Sequence, residues 1–136
     1  MNPGSCALMN GRTGSVVASD VEIALTRHAR RRGLLGRGGL APCSALVLAP
    51  CAAVHTMFMR FTIDVIFVDR EGRALRIVPS LPPWRAAMKT FAHAVIELPA
   101  GTLASREVTV GDPLYLAMPG KGPLPVRAPI LRRELA

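Results

Sequence analysis

Long hydrophobic runs are missing from this chain. The longest nearly uninterrupted apolar stretch, Ala45 to Val54, is broken by Pro50 and falls well short of the about 20 residues that a helical membrane span needs. Cysteine is sparse too: Cys6, Cys43 and Cys51 cannot all pair within one chain and their spacing is no disulfide framework, so thiols are expected. Aromatic residues are limited to four Phe, one Tyr and one Trp. None forms a platform interleaved with basic residues, which disfavours recognition of single-stranded nucleic acid. The first 19 residues contain Pro3, Gly4, Gly11 and Gly14 but no compact apolar segment behind a basic start. A secretory signal or a lipid-anchored Cys6 is therefore not expected, and a cytoplasmic location is the default.

Acidic groups are outnumbered, nine against seventeen Lys and Arg, for a formal charge of +8. The excess is uneven. Residues 1–40 carry six basic and two acidic groups, residues 41–118 carry seven and six, and residues 119–136 carry four and one. The body of the chain is nearly neutral, so solubility and non-specific attraction to polyanions explain the surplus. Half of the 136 residues are hydrophobic, enough for one domain to bury a real core. The composition divides the chain into a flexible segment at 1–19, one globular β-rich domain at 20–118 and a Pro-rich basic tail at 119–136, which is expected to be poorly ordered or draped.

Within the domain, alternation is strongest at Phe61, Ile63, Val65 and Phe67, with Thr62, Asp64, Ile66 and Val68 on the other face. This predicts a strand whose odd-numbered face is core. Asp69, Arg70, Glu71 and Gly72 supply a turn, Arg73 to Val78 returns as the second strand of an antiparallel hairpin, and Pro79 is expected to end it. Extended backwards without a bulge, the first strand would set Met57 and Met59 on the core face. Thr56, Phe58, Arg60 and Asp64 would lie on the opposite one. Val21 to Leu25, Ala45 to Leu48 and Ala94 to Leu98 read as further strands, and Val108 to Val110 and Leu114 to Leu116 as a tight hairpin around Gly111-Asp112. Thr26 is a candidate cap for a helix from Arg27 to Leu35, closed by Gly36 and Gly38-Gly39, and Thr102 for one helical turn ending near Arg106. The segment from Leu81 to about Ala92 reads as a long loop. Several short strands with one convincing helix give a β-rich α+β domain.

Chemistry-bearing side chains concentrate between Cys51 and Gly72. Cys43, Cys51, His55, Met57 and Met59 offer thiolate, imidazole and thioether groups, a soft set suited to Zn or Cu(I); the alternative is that the methionines fill the core and the cysteines are buried small hydrophobes. Cys51, His55 and Asp64 include the residue types of a Cys-His hydrolase, but strand parity points His55 and Asp64 apart unless a bulge intervenes. Asp64 lies between Ile63 and Val65, where burial is costly unless donors meet it, so it serves either as a satisfied polar anchor or in ligand recognition. His93 and Glu97 share parity, and ordinary surface positions account for both. Arg27, Arg30, Arg31, Arg32 and Arg37 could contact phosphate, although a solvated helix face is simpler. The favoured reading is a non-catalytic module that binds an unknown small ligand or protein partner in a concavity around His55, Thr56, Arg60 and Asp64, with Trp84 lining it. It needs no cofactor, and the soft metal is the alternative.

The order of motifs resembles a bacterial and archaeal family, domain of unknown function 192. The pieces are Arg32-Gly33-Leu34-Leu35-Gly36-Arg37, His55-Thr56 leading into Ile63-Asp64-Val65-Ile66-Phe67-Val68-Asp69, Gly72, Glu97-Leu98-Pro99-Ala100-Gly101 and Val110-Gly111-Asp112. Together they span roughly residues 20 to 117. The resemblance implies mostly antiparallel strands curled into a partial barrel, and no established activity. This chain has His55 where many relatives carry tryptophan, and Thr62 where they carry proline.

Overall fold

In a computed structural model, which describes residues 6–127 and 131, the strongest alternation in the sequence becomes a strand without a solvent face. All of Ile63–Val68 is buried. Ile63, Val65 and Phe67 pack with Leu34, Leu46, Leu48, Met59 and Val95, whereas Ile66 and Val68 pack with Leu8, Val17, Val47, Ile96 and Leu98. The expected single core face is therefore two, because this strand lies inside a sheet covered on both sides, as fully buried strands do.

The strands are β1 (Ala7–Asn10), β2 (Ser15–Ala18), β3 (Asp20–Ala24), β4 (Ser44–Leu48), β5 (Ala53–His55), β6 (Ile63–Val68), β7 (Ala74–Leu81), β8 (Ala86–Met88), β9 (Ala94–Pro99) and β10 (Leu114–Ala117), with helices α1 (Arg27–Arg32) and α2 (Thr102–Ser105). They form three sheets, β3-β4-β9-β6-β7, β10-β1-β2 and β5-β8. This is a β-rich α+β fold with two short helices, and no closed barrel forms among the described strands. All pairings are antiparallel except β3 with β4, whose connection runs through α1, as a parallel pair requires a crossover.

Several expectations change. Residues 7–18, assigned to a flexible segment, form the hairpin β1-β2, and β1 pairs with β10. Residues 108–110 are not a strand; Asp112 folds that stretch into a loop by accepting from Thr109 N at 2.9 Å and Thr109 Oγ1 at 3.0 Å. Asn10 Nδ2, at 2.8 Å, and Arg12 Nε, at 2.6 Å, also reach its carboxylate. Pro79 does not end β7. On this edge strand a missing donor costs nothing on the solvent side. Gly72, at φ 83, is required in the β6-β7 turn, because a Cβ there would collide with Leu114 O. In the tail, Leu124 exchanges backbone hydrogen bonds with Leu116, and Val126 is buried, so residues 119–127 drape onto the core. The rest of the tail, apart from buried Leu131, lies outside the described residues.

Candidate functional site

α1 starts as the sequence indicates: Thr26 Oγ1 accepts from Ala29 N at 3.0 Å. It stops earlier than Leu35, at Gly33, whose φ of 46 a side chain rarely adopts. Leu34 then turns into the core at 2 % exposure, which fixes the arginine-rich end of α1 over β4 and β9. Opposite stands the ribbon β5-β8, two strands of three residues that the sequence leaves unread. A cavity of about 60 Å³ lies between them, lined by Arg30, Arg31, Arg32, Cys51, His55, Met59 and Glu97 among others.

Glu97 is the chemical centre of this cavity. It sits on β9 opposite Leu46 of β4 and Val65 of β6. It is only 4 % exposed, not the surface residue that its parity suggests. A Cβ built on Gly33 would lie 3.8 Å from Glu97 Oε1, which places the carboxyl beneath the end of α1. No protein hydrogen bond to this carboxyl occurs among the described residues. Burial pushes its pKa up to about 7, with Arg37 partly offsetting the rise. Arg37 itself is held in a two-pronged pair with Glu22, at 3.1 and 2.9 Å. The remaining signal in the sequence is one carboxylate inside the apolar run Ala94-Val95-Ile96-Glu97-Leu98.

The residues expected to gather around His55 are dispersed. His55 is exposed at the rim, where its Nδ1 accepts from Met57 N at 3.3 Å. Thr56 is fully buried. Its hydroxyl donates to Pro82 O at 2.6 Å and accepts from Arg85 N at 2.9 Å, pinning the proline loop rather than facing a ligand. Asp64 points to the other side of the sheet and accepts from Ser80 N at 2.8 Å, Gly101 N at 3.1 Å and Leu103 N at 2.9 Å. Of its two readings the anchor matches this geometry, and the ligand set loses it. Arg60 is exposed and does not line the cavity. Trp84 leans on Phe58 with ring centroids 4.7 Å apart, also away from it.

The soft-ligand set divides as well. Cys51, His55 and Met59 line the same cavity. Cys43 lies instead at a second hollow, of about 390 Å³, with Thr102 and Arg106, and Arg106 Nη2 is 3.7 Å from its sulfur. Met57 is exposed while Met59 is buried. A turn in which Met59 N reaches Thr56 O and Phe58 takes φ 66 breaks the strand parity that would have paired them. Among the described residues no group of three or more His, Cys, Asp and Glu is arranged to hold a metal ion. The hydrolase constellation fails on geometry, since Asp64 is on the far face. Burial also raises the Cys51 thiol, which disfavours the thiolate that a nucleophile needs.

A small mixed sheet fused to an arginine-bearing helix and a carboxyl-floored cavity defines a class of domain rather than an activity, and comparison with known proteins agrees. The sequence profile of the DUF192 family of uncharacterised ACR proteins matches residues 9–116. The chain belongs to this family, UPF0127. A UPF0127 protein of Thermococcus sibiricus is 32% identical over 110 residues, covering 77% of this chain and 71% of that protein. One from Pyrococcus abyssi is 44% identical over 62 residues, 45% of this chain and 52% of its own length. Two crystal structures share the fold at a TM-score of 0.69. One, from Sinorhizobium meliloti, is 23% identical, covering 80% of this chain and 89% of that one. The other, of a protein of unknown function from Novosphingobium aromaticivorans, is 22% identical, with 80% and 81% covered.

Proposed function

We propose that this protein is a non-catalytic binding module that recognises the polar end of a small anionic ligand in the cavity between α1 and the ribbon. The observation that carries this reading is Glu97: the residue is only 4 % exposed and no described donor bonds its carboxyl, yet no fully occluded side-chain oxygen among the described residues is left unpartnered, so the carboxyl opens onto the cavity. The arginines at the rim favour an acid group on the ligand. The protonated form of Glu97, favoured by burial, supplies a donor at the floor and the ionised form an acceptor. At about 60 Å³ the cavity takes an end group, not a whole metabolite. Cys51, His55 and Met59 open onto the same space, so metal analysis of protein purified without chelators belongs beside any ligand test.

Glycolate and N-acetylglycine, each an acid with a second hydrogen-bonding group, are suitable probes, with acetate as control. The expected result is saturable amide shifts at Gly33, Val54 and Glu97 for the first two. Glu97→Leu should abolish them, and His55→Ala should weaken them. Unsaturable shifts, or shifts that ignore Glu97→Leu, would refute the reading.

A further inference from the structure

The ribbon β5-β8 and the loops at its ends carry a pattern that the cavity does not explain. Of the six aromatic residues in the chain, three are exposed here: Phe58 by 72%, Trp84 by 53% and Phe91 by 91%. Met57 and Met88 are also exposed, by 45% and 61%. Phe58 and Trp84 form a contacting pair at the end of the ribbon that includes His55, and Phe91 follows β8 at the opposite end. All three aromatics hold positive φ, 66, 65 and 69, a conformation that costs a residue with a side chain about 1–2 kcal/mol. The aromatic pair is nevertheless held firmly, because Thr56 binds both Pro82 O and Arg85 N and its carbonyl accepts from Trp84 N. Exposed large apolar side chains on ordered tips mark an interaction surface.

Charge narrows the partner. Residues 49–63 and 72–96 contain no Asp or Glu, but include Arg60, Arg73, Arg76, Arg85 and Lys89. In the sequence Arg60 lies two residues after Phe58, Arg85 directly after Trp84, and Lys89 directly after Met88 and two residues before Phe91. Arg76 Nη1 binds Met88 O at 2.7 Å, and Arg85 Nη1 binds Trp84 O at 3.3 Å. Neither guanidinium is in an ion pair among the described residues. On the ribbon, Ala53, His55, Ala86 and Met88 are exposed, with Ala53 and His55 also at the mouth of the cavity. Protruding aromatics among cations that form no ion pair in the described residues, Arg76 also lying over the Phe67 ring, suit a surface that accepts rings at its interface and carries negative charge.

We propose that the β5-β8 ribbon docks on an anionic phospholipid surface, with Phe58, Trp84 and Phe91 entering the interface and Arg60, Arg76, Arg85 and Lys89 meeting the headgroups. Trp84 is the single tryptophan of the chain, so its fluorescence reports insertion directly. With vesicles of phosphatidylcholine mixed with phosphatidylglycerol, its emission should shift to the blue and be quenched by lipids brominated on their acyl chains. Pure phosphatidylcholine should give a much weaker response. Phe58→Ser and Phe91→Ser, at opposite ends of the ribbon and each checked by thermal melting, should lower partitioning about ten-fold. Arg85→Ser should lower it about five-fold. Protein that stays in the supernatant with unmoved Trp84 emission would overturn the proposal. A blue shift produced equally by polyglutamate, without quenching by brominated lipid, would also overturn it and assign the surface to an acidic protein partner.

Discussion

Asp64 and Glu97 are carboxylates on neighbouring, paired strands of one sheet, and the protein treats them in opposite ways. Asp64 lies opposite Leu98, and Val65 lies opposite Glu97. Cross-strand partners share a face, so the two acids point to different sides of the sheet. Asp64 meets three backbone N–H groups drawn from β7, the turn before α2 and α2 itself. One of these donors, Ser80 N, is freed where the β6-β7 register shifts between Ile63 and Val65. Glu97 meets a cavity. Similar burial therefore yields a structural clamp where backbone donors converge and a carboxyl left facing a cavity where they do not.

The largest effect that would break this comparison is on the clamp. Asp64→Ala leaves three inward-facing N–H groups without an acceptor and should cost about 4 kcal/mol of stability, measured by urea unfolding. Glu97→Gln should act in the opposite direction. A carboxyl whose folded pKa of about 7 exceeds its unfolded value binds more protons when folded, so native stability declines as pH rises from about 4.5 through 7. The glutamine variant escapes this decline. It should melt with the parent at about pH 4 and be more stable by about 2 kcal/mol at about pH 8. Thr56→Val, which unpins the proline loop, should cost about 1.5 kcal/mol. His55→Ala should stay within about 0.5 kcal/mol of the parent while weakening the response to glycolate, so a large drop in melting temperature with unchanged binding would remove His55 from the rim.

How much of this was legible in the sequence follows from what each signal can carry. The cap at Thr26, the β6-β7 hairpin and β9 were visible because capping chemistry and two-residue alternation are local. Alternation cannot say how many faces are covered, so β6 looked one-sided. The ribbon was invisible: Ala53–His55 and Ala86–Met88 are three residues each and gain their pairing from each other across more than 30 positions. Asp64 stands out in the sequence because Ile63 and Val65 flank it. Glu97 has the same context between Ile96 and Leu98, but shared parity with His93 made it look like surface. Met57 and Met59 were misplaced because no local pattern announces the turn at Phe58. The soft-ligand grouping failed for a related reason, since the fold separates Cys43 from Cys51 by placing them at different hollows.

The central claim, that Glu97 is buried and left open for a ligand, is tested most directly by following its side-chain carboxyl carbon through a pH titration by nuclear magnetic resonance. The expected midpoint is near 7 and moves on addition of glycolate. A midpoint at the ordinary glutamate value, unchanged by the probe, would contradict it.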